Sequence, residues 1–298
     1  MTLKKLLLTI ALIFAILLLM FIGCIQVARI VMQLDTETRT SAADNVGLVE
    51  IQGMIIDSRE PIRQLRYFLK KDTIKAVVVR IDSPGGVVGP SQEIYHELKR
   101  LAEKKKVVVS MGSVAASGGY YIAAPATVIY ANPGTITASI GVLIKFSNIE
   151  ALMDKIGIKS STIKTGKFKD SGSPNKPLTA EEQAMFQAVI DSTHEQFVRA
   201  VADGRNMPLE EIRKLADGRI LSGEQAMAVG LVDKLGNQQE AIAEAGRLAG
   251  IEGEPGIVQP PKKKTDYLEL LLGGAEQSIN NVLGSRVGGM QLMYNVNP

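Results

Sequence analysis

Three features of the sequence predict an α/β fold built on a largely parallel sheet. Residues 74–81 form a strand-like run whose apolar centre, Ala76-Val-Val-Val79, is continuous rather than alternating, as in a strand covered on both faces. That run ends in a glycine turn, Asp82-Ser-Pro-Gly-Gly86. Strand-like and helix-like segments then alternate in the order expected of successive crossovers. Such sheets collect their sites beyond the carboxyl ends of the strands, where this turn and a second one around Ser117 fall.

At the N-terminus, Leu6 to Ile25 carries no charge and follows Lys4 and Lys5. As a helix this run is about 30 Å long, enough to cross the hydrocarbon core of a membrane. The preceding lysines predict a cytoplasmic N-terminus, with the bulk of the chain outside that compartment. No A-x-A-like site closes the run, so residues 1–32 read as an uncleaved single-pass anchor in the cell membrane, touching lipid through residues 6–28. Cys24 is the only cysteine, which excludes an intramolecular disulfide and a cysteine-rich metal cluster. Phe21-Ile-Gly-Cys24 is a poor lipoprotein-processing box, because phenylalanine stands first; Cys24 reads as a small apolar residue of the anchor.

Residues 33–45 are a polar tether, and 46–250 a single domain. Within it, residues 46–56 read as a strand interrupted by Gly53, and 61–71 as a helix through Ile62, Leu65 and Leu69. Beyond the first glycine turn come a helix at 91–104, a strand at 107–111, a short helix at 115–124 and a strand at 128–131. Residues 148–156 look helical and 159–165 extended. Thr179-Ala-Glu-Glu182 is a capping box for a long helix reaching about Ala202. Pro208 suits the first turn of the next helix, Ser222-Gly-Glu-Gln225 caps another, and the last spans about 238–248. Pro255, Pro260 and Pro261 mark residues 251–298 as a linker and tail, with short apolar segments at 268–272 and 289–294 suited to docking. The apolar tip of the tail resembles a peptide that could enter the chain's own groove.

The net charge of +3 is small and its lysines and arginines alternate with acids, so no nucleic-acid-binding face is expected. The informative chemistry lies in Met111-Gly-Ser-Val-Ala-Ala-Ser-Gly-Gly-Tyr120. Gly86 and Gly118 can bring backbone N–H groups close to a reacting carbonyl, and paired donors stabilise the negative charge that grows there. Ser117 needs a neighbouring base. His96 and His194, the only histidines, both fall on helices, and no Gly-x-Ser-x-Gly elbow is present. A lysine in a dry pocket can serve instead, because burial disfavours its charged form. Lys164, Lys167 and Lys169 all qualify, and spacing does not choose among them.

Taken in order, Asp82–Gly86, Met111–Tyr121, Thr137-Ala-Ser-Ile-Gly-Val142, Gly166-Lys-Phe-Lys-Asp170 and Ala216-Asp-Gly-Arg219 resemble the serine–lysine signal peptide peptidases of family S49, in their short single-domain form. The resemblance runs from about Val46 to Leu248. It implies a Clp protease/crotonase-like core, with Ser117 as nucleophile, Lys169 as general base and Ser139 orienting the amine. Gly86 and Gly118 would form the oxyanion hole. It further implies no metal or cofactor, a homo-oligomer, octameric here, with a groove shared between adjacent subunits, and released signal peptides as substrates. The competing readings are a membrane protease that cuts intact membrane proteins, a crotonase-like acyl-CoA enzyme, and a non-catalytic membrane scaffold.

Overall fold

The computed structural model describes residues 13–14, 16–23, 26 and 45–261, with the backbone of Met293–Asn295. The chain divides into two units, Met1–Ala43 and Asp44–Pro298. In the first, residues 16–23 are helical, with exposed Leu17, Leu19 and Phe21. Among the described residues no helix is long and apolar enough to cross a membrane. Much of the predicted spanning run, Cys24, tether residues 33–44 and the segment 268–272 lie outside the described residues.

The second unit begins with β1 (Asn45–Gln52), α1 (Arg59–Leu69), β2 (Ala76–Ser83) and β3 (Gly85–Val87). Next come α2 (Val88–Ala102), β4 (Lys106–Ala116), α3 (Gly118–Ala123), β5 (Val128–Ala131) and β6 (Ile136–Ala138). After α4 (Glu150–Lys155) follow α5 (Ala180–Arg205), α6 (Leu209–Leu215), β7 (Ile220–Ser222) and α7 (Gly223–Ala228). The series closes with β8 (Lys234–Leu235), α8 (Gln238–Ala249), β9 (Gly256–Val258) and β10 (Met293–Asn295).

One eight-stranded sheet runs β7-β6-β4-β2-β1-β9, with β5 beside β4 and β8 beside β5. Its pairings are parallel except β6 with β7. The unbroken apolar strands are explained by the two faces they serve. Val46, Leu48, Ala76, Val78 and Val108 pack against Ala241, Ile242 and Ala245 of α8. Val49, Val77, Val79, Val107 and Val109 join Leu65, Leu98, Tyr120 and Phe197 in the larger core on the other side. Both predicted layers are therefore present.

Strand β4 continues five residues past its expected end at Met111, to Ala116. Ile81 faces Met111 while Ser83 faces Ala115, so β4 makes an excursion between them. The Asp82 carboxylate fills it: Val114 N donates to Asp82 Oδ1 at 3.1 Å. A Cβ on Gly112 would lie 2.6 Å from Asp82 Cγ, which accounts for glycine there. The lower part of β4 pairs with β5 and the upper part with β6. This fork delivers Ser117 to the carboxyl end of the central strand.

The long helix α5 starts where its capping box predicts. Glu182 N donates to Thr179 Oγ1, and Thr179 N to Glu182 Oε2. It ends at Arg205, with Asn206 in the left-handed cap position. Pro208 is the N-cap of α6 rather than part of its first turn. The first strand stops at Gln52, and Ile55 forms only an isolated bridge with Gly86.

Candidate active site

Ser117 occupies the single residue between β4 and α3, with φ 53° and ψ −117°. A non-glycine residue at positive φ is strained, by roughly 1–3 kcal/mol. Two bonds hold it there: Ser117 N donates to Ala138 O at 2.7 Å, and Tyr121 N donates to Ser117 O at 2.8 Å. The residue is 1% exposed, yet its Oγ has no hydrogen-bond partner among the described residues. A buried hydroxyl without a partner is a costly arrangement in a purely structural serine.

Gly118 opens α3, so its N–H belongs to the first turn, where no carbonyl within the helix can accept it. The helix itself is firmly seated. Tyr120 is fully buried, and its hydroxyl donates to Leu231 O at 2.8 Å. A side chain on Gly119 would approach Ser83 O to 2.9 Å, bringing α3 directly onto the first glycine turn.

Within that turn Gly85 has φ 101°, and its N–H is taken by Ser83 Oγ at 3.1 Å. Ile55 N donates to Gly85 O at 2.9 Å and Val87 N to Ile55 O at 2.7 Å. Because the intervening peptides are trans and planar, the N–H and C=O of Gly86 point to the opposite edge, away from Ile55.

Ala138 and Ser139 follow with φ 61° and 52°, two more left-handed residues. The loop after α6 holds them. Ser139 N donates to Arg219 O at 2.9 Å, and Gly218 N to Ile140 O at 3.1 Å. The Asp217 carboxylate, held down at about 2 chiefly by its hydrogen bonds from the Arg219 side chain, closes that loop. Ser139 lines a cavity of about 460 Å³ together with Gly141, Asp191, His194 and Asp217. Asp82, Ala138 and this loop are supporting residues that the sequence reading did not assign. Their signal lay in the quoted motifs, but the contacts they make are long-range.

The three candidate lysines sit in an exposed segment before α5. Lys164 pairs with Asp170 and donates to Lys167 O at 3.0 Å. Lys167 pairs with Glu181. Lys169 is exposed and makes no ion pair among the described residues. The structure therefore gathers Ser117, Gly118 and the Ala138–Ser139 pair around the end of β4, but does not join Lys169 to the Ser117 hydroxyl within one chain. His96 lies on α2 with its ring 5.3 Å from that of Tyr95, and lines a separate groove with Arg66 and Glu97.

A parallel core whose central strand ends in a strained serine is the plan of a serine peptidase of the Clp protease kind, and residues 48–139 match the Clp protease family. Residues 99–252 match Peptidase family S49, and the chain belongs to that family. A Synechocystis sp. protein that carries a protease name is 42% identical over 240 residues, covering 80% of this chain and 87% of that one. An Enterococcus faecium protein named for signal peptide peptidase SppA is 34% identical over 70% of this chain and 66% of its own length. The chloroplastic serine protease SPPA of Arabidopsis thaliana is 36% identical over 75% of this chain, which spans 32% of that longer protein. The chain is thus a serine protease with an α/β, Clp protease-like core.

Proposed function

We propose that this chain is a membrane-anchored endopeptidase that uses a Ser117–Lys169 dyad to degrade signal peptides left behind after export. The observation that carries this reading is the Ser117 hydroxyl: buried, without a hydrogen-bond partner among the described residues, and held on strained backbone one residue before the Gly118 amide. Lys169 is the favoured base because Lys164 and Lys167 are already engaged by Asp170 and Glu181. The name of the Enterococcus relative supports the substrate class, and the charge-free run from Leu6 to Ile25 supports the anchor. In this topology the domain lies outside the cytoplasm.

Catalysis begins when the neutral Lys169 amine takes the Ser117 proton as Oγ attacks the peptide carbonyl. Gly86 and Gly118 N–H groups receive the oxyanion, and Ser139 orients the amine. The lysine then donates its proton to the departing amine, leaving an acyl-enzyme on Ser117. Water, deprotonated by the same lysine, releases the second product and restores the serine. The cycle uses only side chains, backbone amides and water. Because Lys169 is exposed in the single chain, the dyad is completed at a contact between copies, in a homo-oligomer that we take to be an octamer.

Cleavage of a synthetic signal peptide by purified, correctly assembled variants tests the assignment. Ser117→Ala and Lys169→Ala should each lower kcat by at least about a thousandfold, whereas Lys164→Ala and Lys167→Ala should stay within about threefold. Near-normal turnover by either of the first pair would remove that residue from the mechanism. A folded membrane protein offered alongside the free peptide should be cut far more slowly.

A further inference from the structure

We infer that the amino-terminal end of the sheet is a docking surface for anionic phospholipid, on which the catalytic domain stands with Ser117 held away from the bilayer. This rests on the anchor reading above and adds the place where the domain meets lipid. Residues 70–75 and 99–106 carry eight lysines and arginines against two acids, Asp72 and Glu103, while the entire chain nets only +3. The fold brings the two segments together. Lys105 Nζ donates to Phe68 O at 2.6 Å and to Lys71 O at 2.7 Å, tying the end of α1 to the end of α2. Lys106 N donates to Lys75 O at 3.2 Å, where β2 and β4 begin. Lys70, Lys75, Lys99, Lys104 and Lys106 are exposed and make no ion pair among the described residues, whereas every described arginine except Arg80 makes one. Cations at helix ends answer the carbonyl dipoles there, which accounts for Lys99 and Lys104. Lys75 and Lys106 stand at the starts of strands, where no such dipole operates.

The chain enters the domain at this same end. Gly47 pairs with Val77, so Asn45, the first residue of β1, stands level with Lys75 on the adjacent strand. Even fully extended, residues 33–44 leave that point no more than about 40 Å from the end of the proposed anchor. A tethered cluster of cations within that reach is drawn to negative headgroups, each lysine near the surface strengthening contact about fivefold. Glu252 and Glu254 precede β9, on the other flank of β1, so the attractive surface is the α1–α2 side. Ser117 follows the opposite end of β4, about 30 Å from Lys106. A domain seated this way presents its active site to peptides that have left the bilayer.

The test uses full-length protein with Cys24→Ala and one fluorophore at Thr73→Cys, in the exposed turn between α1 and β2. It is reconstituted with phosphatidylcholine vesicles that contain a nitroxide-headgroup lipid, with or without about one-third phosphatidylglycerol. Quenching at residue 73 should rise about twofold with the anionic lipid and fall back in about 0.5 M NaCl. Lys75→Gln/Lys104→Gln/Lys106→Gln should abolish the rise. Lys155→Gln/Lys159→Gln/Lys214→Gln, an equal change of charge at exposed lysines elsewhere, should leave it intact. A fluorophore at Met54→Cys, just past the carboxyl end of β1, should not respond. Equal quenching with and without anionic lipid, equal loss in both triple variants, or an equal response at residue 54 would overturn the inference. Flotation with pure phosphatidylcholine vesicles reads the anchor separately. Protein that floats there but shows no anionic rise at residue 73 sinks the docking surface and spares the anchor. Protein that floats only with anionic vesicles, and only with its lysines intact, does the reverse.

Discussion

Ser117, Ala138 and Ser139 hold left-handed backbone without being glycine, and all three meet at one hydrogen bond, Ser117 N to Ala138 O. Side chains at such positions persist only where the surroundings over-determine them. The nearby glycines are needed for a different reason, close approach. A Cβ on Gly86 would lie 2.1 Å from Ile55 O, whereas one on Gly89, three residues later, would meet nothing within 4 Å. Gly86→Ala should therefore destabilise the fold by about 1–3 kcal/mol. Gly89→Ala, at an exposed helical position, should stabilise it by up to about 1 kcal/mol. Denaturant midpoints measure both, and equal shifts would contradict the packing at Ile55. The sequence marked Gly85-Gly86 as a turn but could not say which glycine was crowded, because Ile55 arrives from another part of the chain.

Helix α5 fixes the segment that carries the lysines. Lys176 bridges Glu182 of its capping box at 2.6 Å and Asp170 at 3.5 Å, and Lys164 joins the same Asp170. The Lys176 hydrogen bond, with help from the Thr179 amide, holds the Glu182 carboxyl at about 2, below its ordinary 4.5. A carboxylate lowered on folding contributes stability that is complete above pH 4.5 and lost as pH falls toward 2. Thermal midpoints of the wild type should decline through that window. Glu182→Gln should begin lower at neutral pH and decline less; an unchanged acid limb would show that this network does not anchor the segment. The box itself was legible, since Thr179 and Glu182 are local partners. Strands β6 to β9, each two or three residues long, were not, because their pairings are set by distant neighbours and not by their own periodicity.

At the scale of the whole molecule, the parallel core was readable because strands apolar on both faces demand two covering layers. The completed site was less so. Spacing along the chain places Lys169 after Ser139 but says nothing about which copy of the chain brings its amine to which hydroxyl. The stretch of chain that carries the lysines also exposes large apolar side chains: Leu152, Ile156, Ile158 and Phe168 are exposed, and Ile163 is 100% exposed. Large apolar side chains left exposed in one stretch of chain are what a protein contact would cover. If each site draws Ser117 from one copy and Lys169 from its neighbour, two inactive variants can repair one another. Co-assembly of equal amounts of Ser117→Ala and Lys169→Ala chains should then restore about a quarter of wild-type turnover, the fraction of contacts at which both native residues meet by chance. A dyad made within one chain gives no recovery, since every chain in the mixture lacks one of its members. The mixture must be assembled from dissociated chains and compared with each variant alone, so that subunit exchange, rather than residual activity, accounts for any gain.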